Sequence, residues 1–68
     1  MDLSPRQLEV AQLISEGLTD KEIAKRMGIS YWTVHTMMDL IRARTGMNRI
    51  QLAVAHVRGE LKARAAGA

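Results

Sequence analysis

Apolar positions along this chain recur at helical spacing. Leu8, Ala11 and Ile14 form one stripe, with Val10 and Leu13 turned partly inward beside it. Ile23, Ala24 and Met27 form a second. Val34, Met38 and Ile41, at i, i+4 and i+7, form a third. Leu52, Ala53, Val57 and Leu61 form a fourth, with Ala55 small enough for close helix contact. No stretch alternates apolar and polar residues as a half-buried strand does. The pattern predicts an all-α chain of four helices, at 5–16, 20–27, 31–45 and 49–64, with a frayed tail over 65–68.

Each helix start repeats one device. An apolar residue precedes a capping residue, and a second apolar residue follows five positions after the first. The sets are Leu3-Ser4 with Leu8, Leu18-Thr19 with Ile23, Ile29-Ser30 with Val34, and Met47-Asn48 with Leu52. These are hydrophobic staples around N-caps. Ser4 with Gln7 and Thr19 with Glu22 are capping boxes, and Asn48 with Gln51 is a looser version. Pro5 takes the first helical position, where its missing N–H costs least. Gly17, Gly28 and Gly46 close the first three helices.

Residues 20–39 read as a helix, a tight turn and a second helix. Ala24 lets the second helix approach the first, Gly28 takes the positive φ needed past a helix end, and Val34 fills the crossing from the other side. A helix-turn-helix places its second helix in the major groove of DNA. With Val34, Met38 and Ile41 inward, the outer stripe of helix three is Trp32, His35, Thr36 and Asp39, with Tyr31 at its start and Ala43 further along. Thr36 suits a thymine methyl or a base hydrogen bond, and His35 suits donation to guanine. Trp32 suits a methyl or a sugar, and Asp39 suits acceptance from cytosine N4. Each has a plainer reading: Trp32 lying on helix two, His35 and Thr36 as ordinary surface residues, Asp39 solvated or paired with Arg42 or Arg44. The candidates for phosphate contact are Ser4, Thr19, Lys21, Lys25, Ser30, Thr33, Arg42, Arg44 and Arg49, together with free N–H groups at the helix starts. Their plainer role is a solvated or capping one.

Composition narrows the class further. Sixty-eight residues make one small domain, marginal alone and helped by dimerisation. The absence of cysteine excludes a disulfide framework and a thiolate metal site. His35 and His56 lack a carboxylate cluster beside them, so neither metal nor cofactor is expected. No acid–base pair, nucleophile constellation or phosphate-binding glycine loop suggests an enzyme. No apolar run spans a membrane and no signal-peptide pattern opens the chain, so the expected compartment is the cytoplasm. Net charge is +3 but uneven. Residues 1–40 carry a net −2 and residues 41–68 a net +5, from Arg42, Arg44, Arg49, Arg58, Lys62 and Arg64 against Glu60. A basic half suits a polyanion such as nucleic acid, or simply a solvated surface.

Taken together, Leu3-Ser4-Pro5-Arg6-Gln7-Leu8-Glu9-Val10, Gly17-Leu18-Thr19-Asp20-Lys21-Glu22-Ile23-Ala24, Gly28-Ile29-Ser30, Thr33-Val34 and Asn48-Arg49 resemble the LuxR/GerE-type DNA-binding domain over about residues 3–61. The resemblance implies a four-helix fold and bacterial or phage transcription regulation, with double-stranded DNA as partner. It also implies helix three in the major groove and a homodimer through the fourth helix, where Ala53, Val57 and Leu61 are the interface candidates. Glu9 and Arg49 take structural roles by the same resemblance, tying helices together. The chain departs from the family pattern at His35, Met37 and Asp39, and its Thr45–Asn48 connection is one residue short. Relatives of this type usually carry a receiver or ligand-binding domain ahead of the module. The expectation is therefore a stand-alone regulator or an excised fragment. The alternative is an interaction module of the same scaffold, related in topology to a sigma-region-four domain. Its Tyr31, Trp32, Met37 and Met38 edge would bind another regulator or RNA polymerase.

Overall fold

The computed structural model describes residues 2–63, and its four helices carry most of the core, with Leu3 and Leu61 added from outside them. They are α1 (Pro5–Ser15), α2 (Asp20–Met27), α3 (Tyr31–Thr45) and α4 (Arg49–Val57). Two short strands, β1 (Asp2–Leu3) and β2 (Lys62–Ala63), pair in parallel, with Asp2 opposite Lys62 and Leu3 opposite Ala63. The architecture is all-α; this strand pair fastens the beginning of the described chain to its end and seats Leu3 in the core.

All four helix starts form as their capping residues dictate. Ser4 Oγ accepts from the Gln7 N–H at 3.1 Å while Ser4 N–H donates to Gln7 Oε1 at 3.0 Å. Thr19 and Glu22 exchange the same pair at 3.2 and 2.8 Å. Asn48 and Gln51 do so at 2.8 and 2.9 Å, so the box expected to be looser is as complete as the others. Ser30 caps α3 by accepting from the Thr33 N–H at 3.0 Å.

The helix ends differ more from expectation. Gly28 and Gly46 take the left-handed conformation, at φ 69° and 71°, and close α2 and α3. Helix α4 stops at Val57 instead of running to 64. Gly59, at φ 72°, ends it as Gly17 ends α1. The Gly59 N–H donates to the His56 carbonyl at 3.0 Å and the Glu60 N–H to the Ala55 carbonyl at 2.9 Å, the two bonds of a Schellman motif. The expected end at Arg64 and the frayed tail over 65–68 lie outside the described residues.

This early stop reassigns two apolar side chains. Leu61 leaves the helix, returns beside β1 and is buried, only 8% exposed. Val57, expected inward, is 74% exposed. The buried stripe of α4 is Leu52 and Ala55, with Ala53 half-buried at its edge, and α4 packs chiefly on α1. From α1 come Val10, Ala11, Leu13 and Ile14, so Val10 and Leu13 point fully inward while Leu8 is only half-buried. Leu3, Ile23, Val34, Ile41 and Leu52 complete the centre, with Met27, Met38 and Met47 filling in around them.

Candidate nucleic-acid interface

Helices α2 and α3 pack together through Ile23 and Ala24 on one side and Val34 and Ile41 on the other, all within one buried cluster. Val34 is completely buried and Ile41 nearly so, which fixes the rotation of α3. The opposite side therefore faces solvent. Trp32 is 77% exposed, and Thr36, Asp39 and Ala43 are exposed along with it. Trp32 does not lie on α2. Thr36 Oγ1 donates to the Trp32 carbonyl at 3.1 Å, so its hydroxyl proton is used inside the helix while its methyl and a lone pair remain available. Leu40, absent from the sequence-based candidates, is 55% exposed and lies one turn beyond Thr36. Its spacing from Trp32 (i, i+8) carried the signal.

His35 stands apart from this stripe. Its Nε2 lies 2.9 Å from the Tyr31 hydroxyl and 3.8 Å from Asp20 Oδ2. The two rings meet edge to face at 4.7 Å. Tyr31 and His35 thus lean toward the start of α2. Met38 packs half-buried against the core as its place in the inward stripe requires, and Met37 does the same, so the exposed edge that the alternative reading gives them is reduced to Tyr31 and Trp32.

Asp20 joins three helices. Arg49, at the start of α4, donates from Nη1 to Asp20 Oδ1 at 2.6 Å and from Nη2 to the Leu18 carbonyl at 2.7 Å. The guanidinium is committed to this clamp, which fits its expected role as a tie between helices better than phosphate contact. Glu9, the other expected tie, pairs instead with Arg6 inside α1 at 3.8 Å. Thr19, Asp20, Lys21, Tyr31 and Arg49 line a shallow depression where the starts of α2, α3 and α4 converge. Next to it, the Glu22 carboxyl is held below the ordinary glutamate range by the Thr19 N–H and hydroxyl that it meets.

The remaining polar candidates sit around the α2–α3 unit or at helix starts. The hydroxyls of Ser4, Thr19 and Ser30 accept backbone N–H groups of their own helices, and Thr33 Oγ1 lies 2.8 Å from Ser30 Oγ. Lys21, Lys25, Arg42 and Arg44 are exposed, and Arg44 Nη1 reaches the Asp2 carbonyl at 3.4 Å. No group of three or more potential metal ligands occurs among the described residues, and no helix there is long and apolar enough to cross a membrane.

A second exposed surface runs along α4. Ile50, Val54 and Val57, at i, i+4 and i+7, are 75%, 46% and 74% exposed. Of the interface candidates, Val57 lies on this stripe, Ala53 borders it, and Leu61 is buried elsewhere. Leu61 is corrected because the Schellman turn carries it into the chain's own core. Ile50 and Val54 are not among the sequence-based candidates, although their spacing from Val57 (i−7 and i−3) carries the signal.

Comparison with known proteins agrees with this geometry. The family model for "Bacterial regulatory proteins, luxR family" (GerE) matches residues 1–57. A Mycobacterium tuberculosis protein named as an HTH-type transcriptional regulator is 43% identical over 51 residues, covering 74% of this chain but 6% of that protein. The two-component response regulator PprB of Pseudomonas aeruginosa is 46% identical over 54 residues, covering 78% of this chain and 20% of the relative. The chain thus spans only a small part of the length of these relatives. No solved structure gives a significant match. The four capped helices, the α2–turn–α3 unit and the match over residues 1–57 place this chain in the luxR family of bacterial regulatory proteins, as a helix-turn-helix domain of DNA-binding transcription regulators.

Proposed function

We propose that this chain reads double-stranded DNA sequence-specifically, with α3 in the major groove, as a homodimer in the bacterial cytoplasm. The observation that carries the reading is the two-sidedness of α3. Val34 and Ile41 are buried beneath it while Trp32, Thr36 and Asp39 stand open on the opposite face. N-terminal residues of such a helix reach base edges, and the periphery supplies phosphate contacts. Lys21, Lys25, Arg42 and Arg44 are the exposed cations placed for that task, together with N–H groups at the starts of α1, α2 and α3. Arg49 holds the frame instead. The dimer forms through the α4 stripe of Ile50, Val54 and Val57, where a two-fold contact buries apolar surface that a small domain otherwise leaves in water.

The test is binding of labelled duplex over a range of salt concentrations. Affinity falls with a log–log slope of about −0.9 for each phosphate neutralised. A flat response overturns DNA binding and favours the second reading, a protein-interaction module. That reading draws on one observation: no cation occurs on α3 before Arg42. For the dimer, Val57→Glu halves the mass measured by light scattering. An unchanged mass for both forms removes the α4 interface.

A further inference from the structure

The exposed side of α3 has a composition that selects among bases. From Tyr31 to Ile41 its exposed side chains are Tyr31, Trp32, Thr33, Thr36, Asp39 and Leu40, and none is cationic. The only formal charge on that side is the Asp39 carboxylate. In the major groove guanine presents two acceptors, N7 and O6, whose usual partner is a bidentate arginine or lysine. This face offers neither. The Thr36 hydroxyl proton is already given to the Trp32 carbonyl at 3.1 Å, so it does not serve a base acceptor either. A carboxylate set against N7 and O6 is repelled and loses its water without replacement. What the face does offer is apolar surface. Trp32 and Leu40 are exposed at 77% and 55%, with the Thr36 methyl one turn from each. Eight residues of helix rise about 12 Å. At roughly 3.4 Å per base along a strand, that spans three to four base steps.

Resting on the reading of α3 as the base-facing helix, we infer that this face recognises the C5-methyl groups of thymines. Trp32 and Leu40 are the specificity-determining residues, and Asp39 disfavours guanine beside them. Thymine is the base that carries an apolar group into the major groove, and apolar side chains are its contact. Asp39 accepts from an exocyclic amine, N6 of adenine or N4 of cytosine, at an adjoining step. The half-site is thus thymine-rich, with an amine-bearing base near Asp39.

The experiment selects duplexes bound by the full chain from a random pool. Each thymine of the selected site is then replaced by deoxyuridine, which keeps its pairing and O4 but lacks the methyl. Affinity is followed by anisotropy at fixed salt, and binding at Trp32, the only tryptophan, is followed by its fluorescence. The selected half-site contains thymines three to four steps apart. Deoxyuridine at either weakens binding about fourfold, the ratio equivalent to ~0.8 kcal/mol for one buried methyl. In Leu40→Ala one of the two positions becomes indifferent to the methyl, and in Trp32→Ala the other does. Tight, salt-dependent binding to a guanine-centred site, or to a site indifferent to deoxyuridine, overturns methyl recognition and leaves DNA reading by α3 intact. The absence of salt-dependent binding to any duplex overturns both, as does capture of a protein partner by the Trp32–Leu40 face in place of DNA.

Discussion

At the scale of single residues, Asp20 and Arg49 do the most to set the frame. They are 29 positions apart, yet Arg49 Nη1 lies 2.6 Å from Asp20 Oδ1, and its other amine reaches the Leu18 carbonyl. Charge-assisted hydrogen bonds of this kind contribute about 1.5–3 kcal/mol, reduced where water reaches the pair. Arg49→Ala therefore lowers unfolding stability by about 1–2 kcal/mol, read as a lower urea midpoint at unchanged slope. An unchanged midpoint means the clamp does not hold α4. Glu22 works more locally. The Thr19 N–H and hydroxyl favour its ionised form, so its folded pKa lies below the ordinary value of about 4.5. A depressed carboxyl contributes stability that is present above the unfolded value and is lost as pH falls through the folded one. Stability thus declines below pH about 4.5, and Glu22→Gln, which keeps the box but not the charge, flattens that part of the curve. Parallel curves for both proteins would show that the capping charge contributes nothing.

At the scale of elements, beginnings were more legible than ends. A cap is chemistry within four residues, so Ser4, Thr19, Ser30 and Asn48 placed all four helix starts without reference to the rest of the chain. The end of α4 also had a local signal, since Gly59 stands where a Schellman turn needs it. Helical spacing from Val57 to Leu61 pointed the other way. The turn prevailed because it places Leu61 beside Leu3 in the core cluster and lets β2 pair with β1. Leu61→Ala consequently costs about 2–4 kcal/mol, as a buried truncation does. Val57→Ala stays within about 0.5 kcal/mol in the monomer. Thermal unfolding at low protein concentration separates the two, and equal losses would restore a helix running through both. The candidate site divides in the same way. The Trp32, Thr36 and Asp39 stripe followed from the α3 period alone. The turning of His35 toward Tyr31 and Asp20 depends on how α2 and α3 meet, and the period says nothing of that.

At the scale of the whole molecule, two exposed surfaces have different characters. One is the α3 face, where Trp32 and Leu40 stand among uncharged polar side chains with a single acid, and with cations at its margins. The other is the α4 stripe of Ile50, Val54 and Val57. Under this account the first meets DNA and the second meets another copy of the chain, so a duplex and a partner subunit occupy separate sides. In the proposed reading the overall +3 charge favours a polyanion without deciding the register, which is left to the α3 side chains. The most direct test of this division is amide chemical-shift mapping by NMR as a selected duplex is titrated into the protein. The account predicts that the largest changes fall on Trp32, Thr36, Asp39, Leu40 and the start of α2, and that Ile50, Val54 and Val57 stay unmoved at constant dimer population. Changes centred on α4, with the α3 face silent, would contradict it.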